Sequence, residues 1–429
     1  MPEGRAAAEG NAANAGLRPM LESRYRTLTW RSLFMAGMAL GLWTNPGGAE
    51  DSGVAPIGIL LGGFRIDPHL DFTERFDDNV FAVAAPRKSD FLSDARLGID
   101  LASNWSRHEL DASMILGHQQ YLNFSELSSN TVAVNLRGHL DITRNDVLGA
   151  SLSYSSQPIP FGVPESGFGA TQTQAESKTG ELYYKRQIYR IGLRVGFHYD
   201  ETSYSGQNGT VVINGTPGTN VFSQNNAVSA FQENVNLSYI FSPSLTAFVD
   251  AAYRSDMYKL DPKASNTQSV TVLAGSEFNI NTIFVGGLGI GALIQKFGDP
   301  TIPTTISPAA NGRLTWNVTP ITSFTATVRR DAQNTRFTSL ISRIDTAMEV
   351  RGTHQLHHNI ILGAGISHEL NEYSGVKLTE KYTTVMISSR ILFNRWITLS
   401  PSYQYRTRSS TFLGNYHSNV IMVALNVQL

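Results

Sequence analysis

Two adjacent pairs, Ser367-His368 and His417-Ser418, bring together a hydroxyl and an imidazole, the residue types that acyl transfer needs. Both lie where polar and apolar residues alternate. Neighbours on a strand point to opposite faces, so neither pair can act as a nucleophile-base dyad. His354, His357 and His358 could suggest a metal site, but no Cys or carboxylate close by completes a ligand set. The run Asp77-Asp78-Asn79 offers oxygen ligands without the spaced acids and closing Glu of a calcium loop. Asp and Asn side chains bond their own backbone in turns, so this run is read as ordering a loop. There is no HExxH, no GxSxG and no phosphate-binding Gly loop followed by Lys-Ser/Thr. The chain is therefore read as carrying no catalytic residue, cofactor or metal centre, and not as an enzyme.

What remains is a set of charges that recur on one side of alternating segments. By parity one face holds Asp94, Arg96, Asp100, Asp111, Arg137, His139, Asp141, Arg190, Arg194, His198, Asp250, Arg254, Arg329, Arg343, Asp345, Glu349 and Arg351. Interior charges of a barrel commonly pair across strands and keep a lumen hydrated. The alternative is an arginine ladder that guides an anionic polymer or solute, with Tyr and Trp near the mouths stacking on sugar rings.

The elements that must position these charges have a period of two, sustained over segments of roughly ten residues from Phe64 onward. Over 131–142 one face reads Val132, Val134, Leu136, Gly138, Leu140, Ile142, and the other Thr131, Ala133, Asn135, Arg137, His139, Asp141. Over 189–200 the apolar set is Tyr189, Ile191, Leu193, Val195, Phe197, Tyr199, with aromatics at both ends as in an interfacial girdle. No three-turn amphipathic helix is evident. Short connections fall at Asn104-Trp105, Arg144-Asn145-Asp146, 185–188, Ser242-Pro243-Ser244, Ile280-Asn281, Thr319-Pro320, 354–358 and Phe393-Asn394. Longer ones, rich in Gly, Asn, Ser, Thr and Pro, lie at 75–90, 155–176, 200–227, 255–267, 297–308 and 407–415. Alternation of tight turns with long loops separates a membrane barrel from a soluble sandwich. The expected fold is all-β, a transmembrane antiparallel up-and-down barrel of about 16–18 strands, its short turns periplasmic and its long loops outside.

Bulk composition agrees with that reading. Hydrophobic residues make up 41% of 429, with 37 Gly, 16 Tyr, 21 Phe and 5 Trp spread along the body. The average suits a wall of which every second residue faces lipid, and is far below that of a helical membrane protein. The absence of Cys removes disulfides and thiolate sites. A net charge of -1 argues against nucleic acid as a partner.

Arginines at 24, 26 and 31 precede the apolar run Leu33 to Trp43, and Gly47-Gly48-Ala49 supplies small residues before Glu50. This reads as a signal peptide cleaved after Ala49, with Met20 as an alternative start. The expected layout is 1–49 signal region, 50–63 N-terminal periplasmic segment or plug, and 64–429 barrel.

The start of the body reads Phe72-Thr73-Glu74-Arg75-Phe76-Asp77-Asp78-Asn79-Val80-Phe81, then Ser89-Asp90, then Asn104-Trp105-Ser106-Arg107-His108 before a strand ending near Tyr121. This resembles the β-barrel porin type 2 family, with Asp78, Asn79, Phe81, Asp90, Trp105 and Arg107 at the matching motif positions. Two departures stand out: the chain ends Gln428-Leu429 where many such barrels end in an aromatic, and Pro68 predicts a first strand that is bent or begins after it. The resemblance implies a porin-like outer-membrane conduit, passing exopolysaccharide or other hydrophilic solutes. Its implied surroundings are outer-membrane lipid and lipopolysaccharide, the barrel-assembly machinery and periplasmic polysaccharide-export components. Three rivals are kept. A general diffusion porin would fold loop 155–176 or 200–227 inward, a non-conducting structural or surface-interaction barrel would be plugged by side chains or by 50–63, and an embedded hydrolase would need a converging Ser, His and carboxylate.

Overall fold

The computed structural model describes residues 57–429 apart from 165, 167–171, 206–226, 261–265, 336–341, 375–377 and 412–413. The expected signal region 1–49 and residues 50–56 lie outside the described residues, as does most of loop 200–227.

The strands are β1 (Ile59–Leu61), β2 (Phe64–Asp77), β3 (Asp90–Ser103), β4 (Glu109–Tyr121), β5 (Ser129–Asp141), β6 (Asp146–Ile159), β7 (Thr173–Ile188), β8 (Ile191–Ser205) and β9 (Val228–Ser242). They continue as β10 (Leu245–Tyr258), β11 (Thr267–Ile280), β12 (Phe284–Phe297), β13 (Thr305–Thr319), β14 (Thr322–Gln333) and β15 (Arg343–His357). The last four are β16 (Ile360–Tyr373), β17 (Thr379–Leu392), β18 (Ile397–Ser410) and β19 (Tyr416–Gln428). Each of β2 to β18 pairs antiparallel with the next, and β19 returns to pair antiparallel with β2, from Val420↔Asp77 to Gln428↔His69. Eighteen strands thus close into a barrel with no free edge along this seam, which is what a wall in lipid requires.

Burial follows parity. Leu97, Val134, Leu136, Leu182, Phe197, Val235, Leu288, Val350 and Ile421 are exposed on the outside, and the charged set, Arg190 apart, lies on the opposite, lumen face of the strands. Aromatic residues gather outside at the short-turn end: Phe64 packs on Trp105 at 5.2 Å, Tyr239 on Phe241 at 4.9 Å, and Phe284 on Trp316 at 5.9 Å.

Several local expectations are corrected. The turn placed at 185–188 lies at Tyr189-Arg190, because β7 runs on to Ile188; the turn placed at 354–358 lies at His358-Asn359. Three long-loop-end connections were not foreseen: 122–128, which holds the 3-10 turn Ser125–Leu127, 334–342 and 374–378. Leu122, Phe124 and Leu127 make the first of these read as strand, whereas Leu127 is buried among loop residues.

Pro68 sits within β2 without breaking it. It pairs with Ile99 of β3, while the β19 ladder begins only at His69, so its missing N–H faces no ladder acceptor. Its carbonyl accepts from Leu429 N at 3.2 Å. Below that point β1 takes over the same edge, pairing Ile59↔Ile66 and Leu61↔Phe64. Residues 59–61 therefore extend the wall as a short ribbon with exposed apolar side chains and do not fill the lumen.

Candidate functional site in the lumen and its outer mouth

The inward arginines are held by carboxylates, mostly two positions away on the same strand, where parity puts both side chains on one face. Arg96 reaches Asp94 at 2.7 Å, Arg343 reaches Asp345 at 2.9 Å, and Arg351 reaches Glu349 at 2.7 Å. Arg329 lies 3.7 Å from Asp331, and Arg254 binds Asp256 at 2.8 Å and Asp200 of β8 at 3.0 Å. Across strands, Arg137 bonds Asp111 at 2.5 Å and Arg194 bonds Glu181 at 2.5 Å while lying over the Tyr183 ring, 4.6 Å from its centroid. Asp100 and Asp71 flank His69 at 3.5 and 3.7 Å. His139 lies 3.7 Å from Glu109, His198 lies 3.5 Å from Asp200, and Asp250 faces the lumen from β10.

One member of the expected lumen set stands elsewhere, and another, Asp141, sits at the short-turn end of its inward face, 3.6 Å from His139. Arg190 occupies the Tyr189-Arg190 turn, beside a tyrosine that is 94% exposed. Asp141 fastens the β3–β4 turn: it accepts from His108 N at 3.2 Å, and its own N donates to His108 Nδ1 at 3.1 Å. Arg107 donates to the Asp141 carbonyl at 2.9 Å, which ties the same turn to β5. The arginines therefore form no bare cationic ladder. On the inward positions of the described strands acids outnumber bases, so the lumen is charge-compensated with an acidic balance.

The densest cluster, at the long-loop end of the seam, centres on the run Asp77-Asp78-Asn79 read as ordering a loop and on the motif residue Asp90, but sequence reasoning missed its partners across the seam. Asp77, 4% exposed, accepts from Arg75 at 2.7 Å, Arg406 at 2.6 Å, Ser418 Oγ at 2.6 Å and Asn79 N at 3.0 Å. Asp78 takes Asn419 N at 2.7 Å and Nδ2 at 2.6 Å. Asn79 Nδ2 donates to the carbonyls of Val83 at 2.7 Å and His417 at 3.0 Å. Asp90 collects Asn123 N and Nδ2 and Phe124 N at 2.8 to 3.1 Å. Nearby, Glu380 accepts from Tyr373 and Tyr382, both at 3.0 Å. The readable signal was Arg75-x-Asp77 beside Arg406-x-Arg408 and Tyr416-x-Ser418, each pair on one strand face.

Above this cluster the loops turn inward from two sides. Val80, Ala82, Leu92, Tyr121, Leu127, Phe161 and Tyr416 form one buried core, with Phe81 packed on Phe124 at 5.0 Å and on Phe161 at 5.4 Å. Tyr416 OH donates to the Gly162 carbonyl at 2.7 Å, pinning the loop after β6 to β19 across the seam. A small pocket remains among Arg75, Asp77, Asp90, Tyr121 and Phe161. About half the ring away, Thr335 N donates to Tyr258 OH at 3.2 Å and Gln295 Nε2 donates to Ser342 Oγ at 2.6 Å. Both ends of the β14–β15 connection are thereby tied inward against β10 and β12, beside a buried Leu273, Leu293, Ala309 and Ile344 cluster. Residues 160–163 turn inward within 155–176, one of the two loops that a general diffusion porin would fold inward, and the held ends of the β14–β15 connection at Thr335 and Ser342 were not foreseen.

The Ser and His pairs are separated by the wall: Ser418 is buried inside and His417 is exposed outside. His354 faces outward from β15, bonding Thr322 Oγ1 at 2.8 Å. Among the described residues no three His, Cys, Asp or Glu side chains converge as metal ligands.

Comparison with known proteins adds the following. The chain is similar to a mutant of the ferric enterobactin receptor PfeA of Pseudomonas aeruginosa, with 7% identity, 85% of this chain and 80% of that chain covered, and a TM-score of 0.47. The siderophore receptor PirA of Acinetobacter baumannii gives 6% identity, 84% and 80% coverage and a TM-score of 0.47. OccK1 (OpdK) of Pseudomonas aeruginosa gives 10% identity, 85% and 99% coverage and a TM-score of 0.45. No curated protein matches the chain. Residues 51–429 match the family model described as "Putative beta-barrel porin 2", and the chain belongs to that family.

Proposed function

We propose that this barrel is a passive conduit of the bacterial outer membrane for hydrophilic solutes, with exported polysaccharide as its cargo. The observation that carries the reading is the closed 18-strand wall whose inward face is polar and charge-compensated while its outward face is apolar. Such a wall encloses an aqueous path and holds no strong field of one sign. Paired arginines and an acidic balance favour neutral glycan over a polyanion, which sets aside the arginine ladder. The inward residues 160–163 and the inward-tied Thr335 and Ser342 narrow the path at its outer mouth.

In this reading the protein is no enzyme, and its surroundings are outer-membrane lipid and lipopolysaccharide. It reaches the membrane through the barrel-assembly machinery, and periplasmic polysaccharide-export components meet the short-turn rim. Planar-bilayer recording of the purified full chain tests the conduit: discrete openings that neutral oligosaccharides interrupt are expected. A correctly folded barrel that passes no current would instead support a non-conducting structural barrel. Deletion of the gene should trap polymer in the periplasm; unchanged polymer release would remove the polysaccharide assignment.

A further inference from the structure

Three lumen-facing rings lie over glycines, two on the adjacent strand and one, Phe248, reaching past Gly275 of β11 to Gly289 of β12. An added Cβ at Gly98 would fall 2.0 Å from His69 Nε2, one at Gly149 2.1 Å from Tyr183 Cζ, and one at Gly289 3.1 Å from Phe248 Cζ. A ring laid on a glycine stays flat against the wall and leaves the passage open. The three rings differ in what covers them. His69 stands between Asp71 and Asp100, and Tyr183 carries the Arg194 guanidinium. Phe248 is half-exposed, and among the described residues no charge or second ring lies over it.

Its setting is that of a saccharide subsite. The lateral row through it runs Ser238–Phe248–Gly275–Gly289–Asn311–Arg329. The next inward row runs Thr246–Glu277–Gly287–Arg313. An aromatic platform thus stands beside a floor without side chains, rimmed by a hydroxyl, an amide, a carboxylate and a guanidinium. Two glycines here are compulsory, because a Cβ at Gly275 would lie 2.0 Å from the Leu288 carbonyl oxygen and one at Gly291 1.8 Å from that of Val272, and a Cβ at Gly289 would press on the Phe248 ring at 3.1 Å. A pyranose offers an apolar C–H face to a ring and hydroxyls at its edge, and ligand sites combine an apolar surface with a few placed polar groups in this way.

We infer that Phe248 is a stacking station at which the neutral pyranosyl units of a passing glycan rest, with Asn311, Arg313 and Glu277 addressing their hydroxyls. The inference rests on the conduit reading and names its substrate class. The test uses maltohexaose as a neutral probe and oligogalacturonate as an anionic one, on the purified full chain. Equilibrium dialysis in detergent measures binding, and bilayer recording measures the duration of current blocks. Phe248→Ala should weaken maltohexaose binding and shorten blocks about five- to tenfold, the scale of one aromatic contact, with open conductance unreduced. Phe248→Tyr should retain both. Where Phe248→Ala does not fold, Phe248→Leu, which pads the glycine without a ring, should show the same loss.

Wild-type binding by Phe248→Leu, stronger binding of oligogalacturonate, or no maltohexaose binding by any form would overturn the assignment and leave Phe248 as wall packing. A barrel that binds maltohexaose through Phe248 yet passes no current would support the station while sinking the conduit. The two readings therefore fail separately.

Discussion

Replacing Asp77 with alanine should destabilise the barrel at its seam. The β2–β19 ladder joins the first and last strands of the ring, so no tight turn helps to hold it, and its long-loop end is tied by Asp77. The carboxylate takes two guanidinium bonds, from Arg75 at 2.7 Å and Arg406 at 2.6 Å, and one hydroxyl bond from Ser418. Both arginine side chains are largely buried, at 11% and 15% exposure. Removing one partner of a buried ion pair costs about 3–5 kcal/mol, because the remaining charges lose their solvation and their counter-ion together. Asp77→Asn keeps an acceptor but meets the arginines without charge, so about half that loss is expected. The control is Glu74→Ala, an outward residue that accepts one bond, from Ser93 Oγ, among the described residues, and it should stay within about 0.5 kcal/mol of wild type. Urea unfolding in lipid vesicles, followed by tryptophan fluorescence and by heat-modified electrophoretic mobility, reads all three. Equal midpoints for Asp77→Ala and Glu74→Ala would refute the claim that this carboxylate fastens the seam.

Other expectations come from single contacts. Gly291→Val places a side chain where even a Cβ would lie 1.8 Å from a backbone oxygen, so no heat-modifiable barrel should form, whereas Gly180→Ala, whose Cβ would meet only Leu152 at 3.5 Å, should fold normally. Tyr416→Phe removes the bond to Gly162, and Gln295→Ala removes the bond to Ser342; each should enlarge or destabilise the open conductance in bilayers, and unchanged current noise in both would argue against loops that narrow the mouth. The acidic lumen balance predicts preference for K+ over Cl− by about a few-fold in reversal potential under a salt gradient, so an anion-selective pore would contradict the inward assignment of the charges.

Strand parity was legible because each lipid-facing residue is apolar nearly without exception between Leu110 and Leu116 or Ile191 and Phe197, and a one-residue slip would reverse every side chain. Tight turns were legible from Asn, Pro and Gly chemistry at Ser242-Pro243-Ser244 or Phe393-Asn394. Turns built from other residues were not: Tyr189 adopts φ 50°, a conformation its sequence does not announce, and so the turn was placed too early. Loops that fold inward were the hardest to see. Exposed loops are polar, but 122–128 and 160–163 must fill space inside the mouth, so they carry Leu127 and Phe161 and imitate strand or core.

The charged lining shows how pattern and chemistry separate. Parity places Arg343 and Asp345 on one face, and it does so for Arg254 and Asp256 or Glu349 and Arg351 as well. The same spacing that sends both side chains into the lumen sets each guanidinium within reach of its carboxylate, at 2.9, 2.8 and 2.7 Å. An arginine ladder for a polyanion would need cations whose partners lie on another face, so that the passing ligand supplies the counter-charge. Here the strand supplies it, two residues away. The lumen accordingly spends these paired charges on keeping its own wall ordered, and recognition of a solute falls to the uncovered Phe248 ring and the polar side chains that rim it.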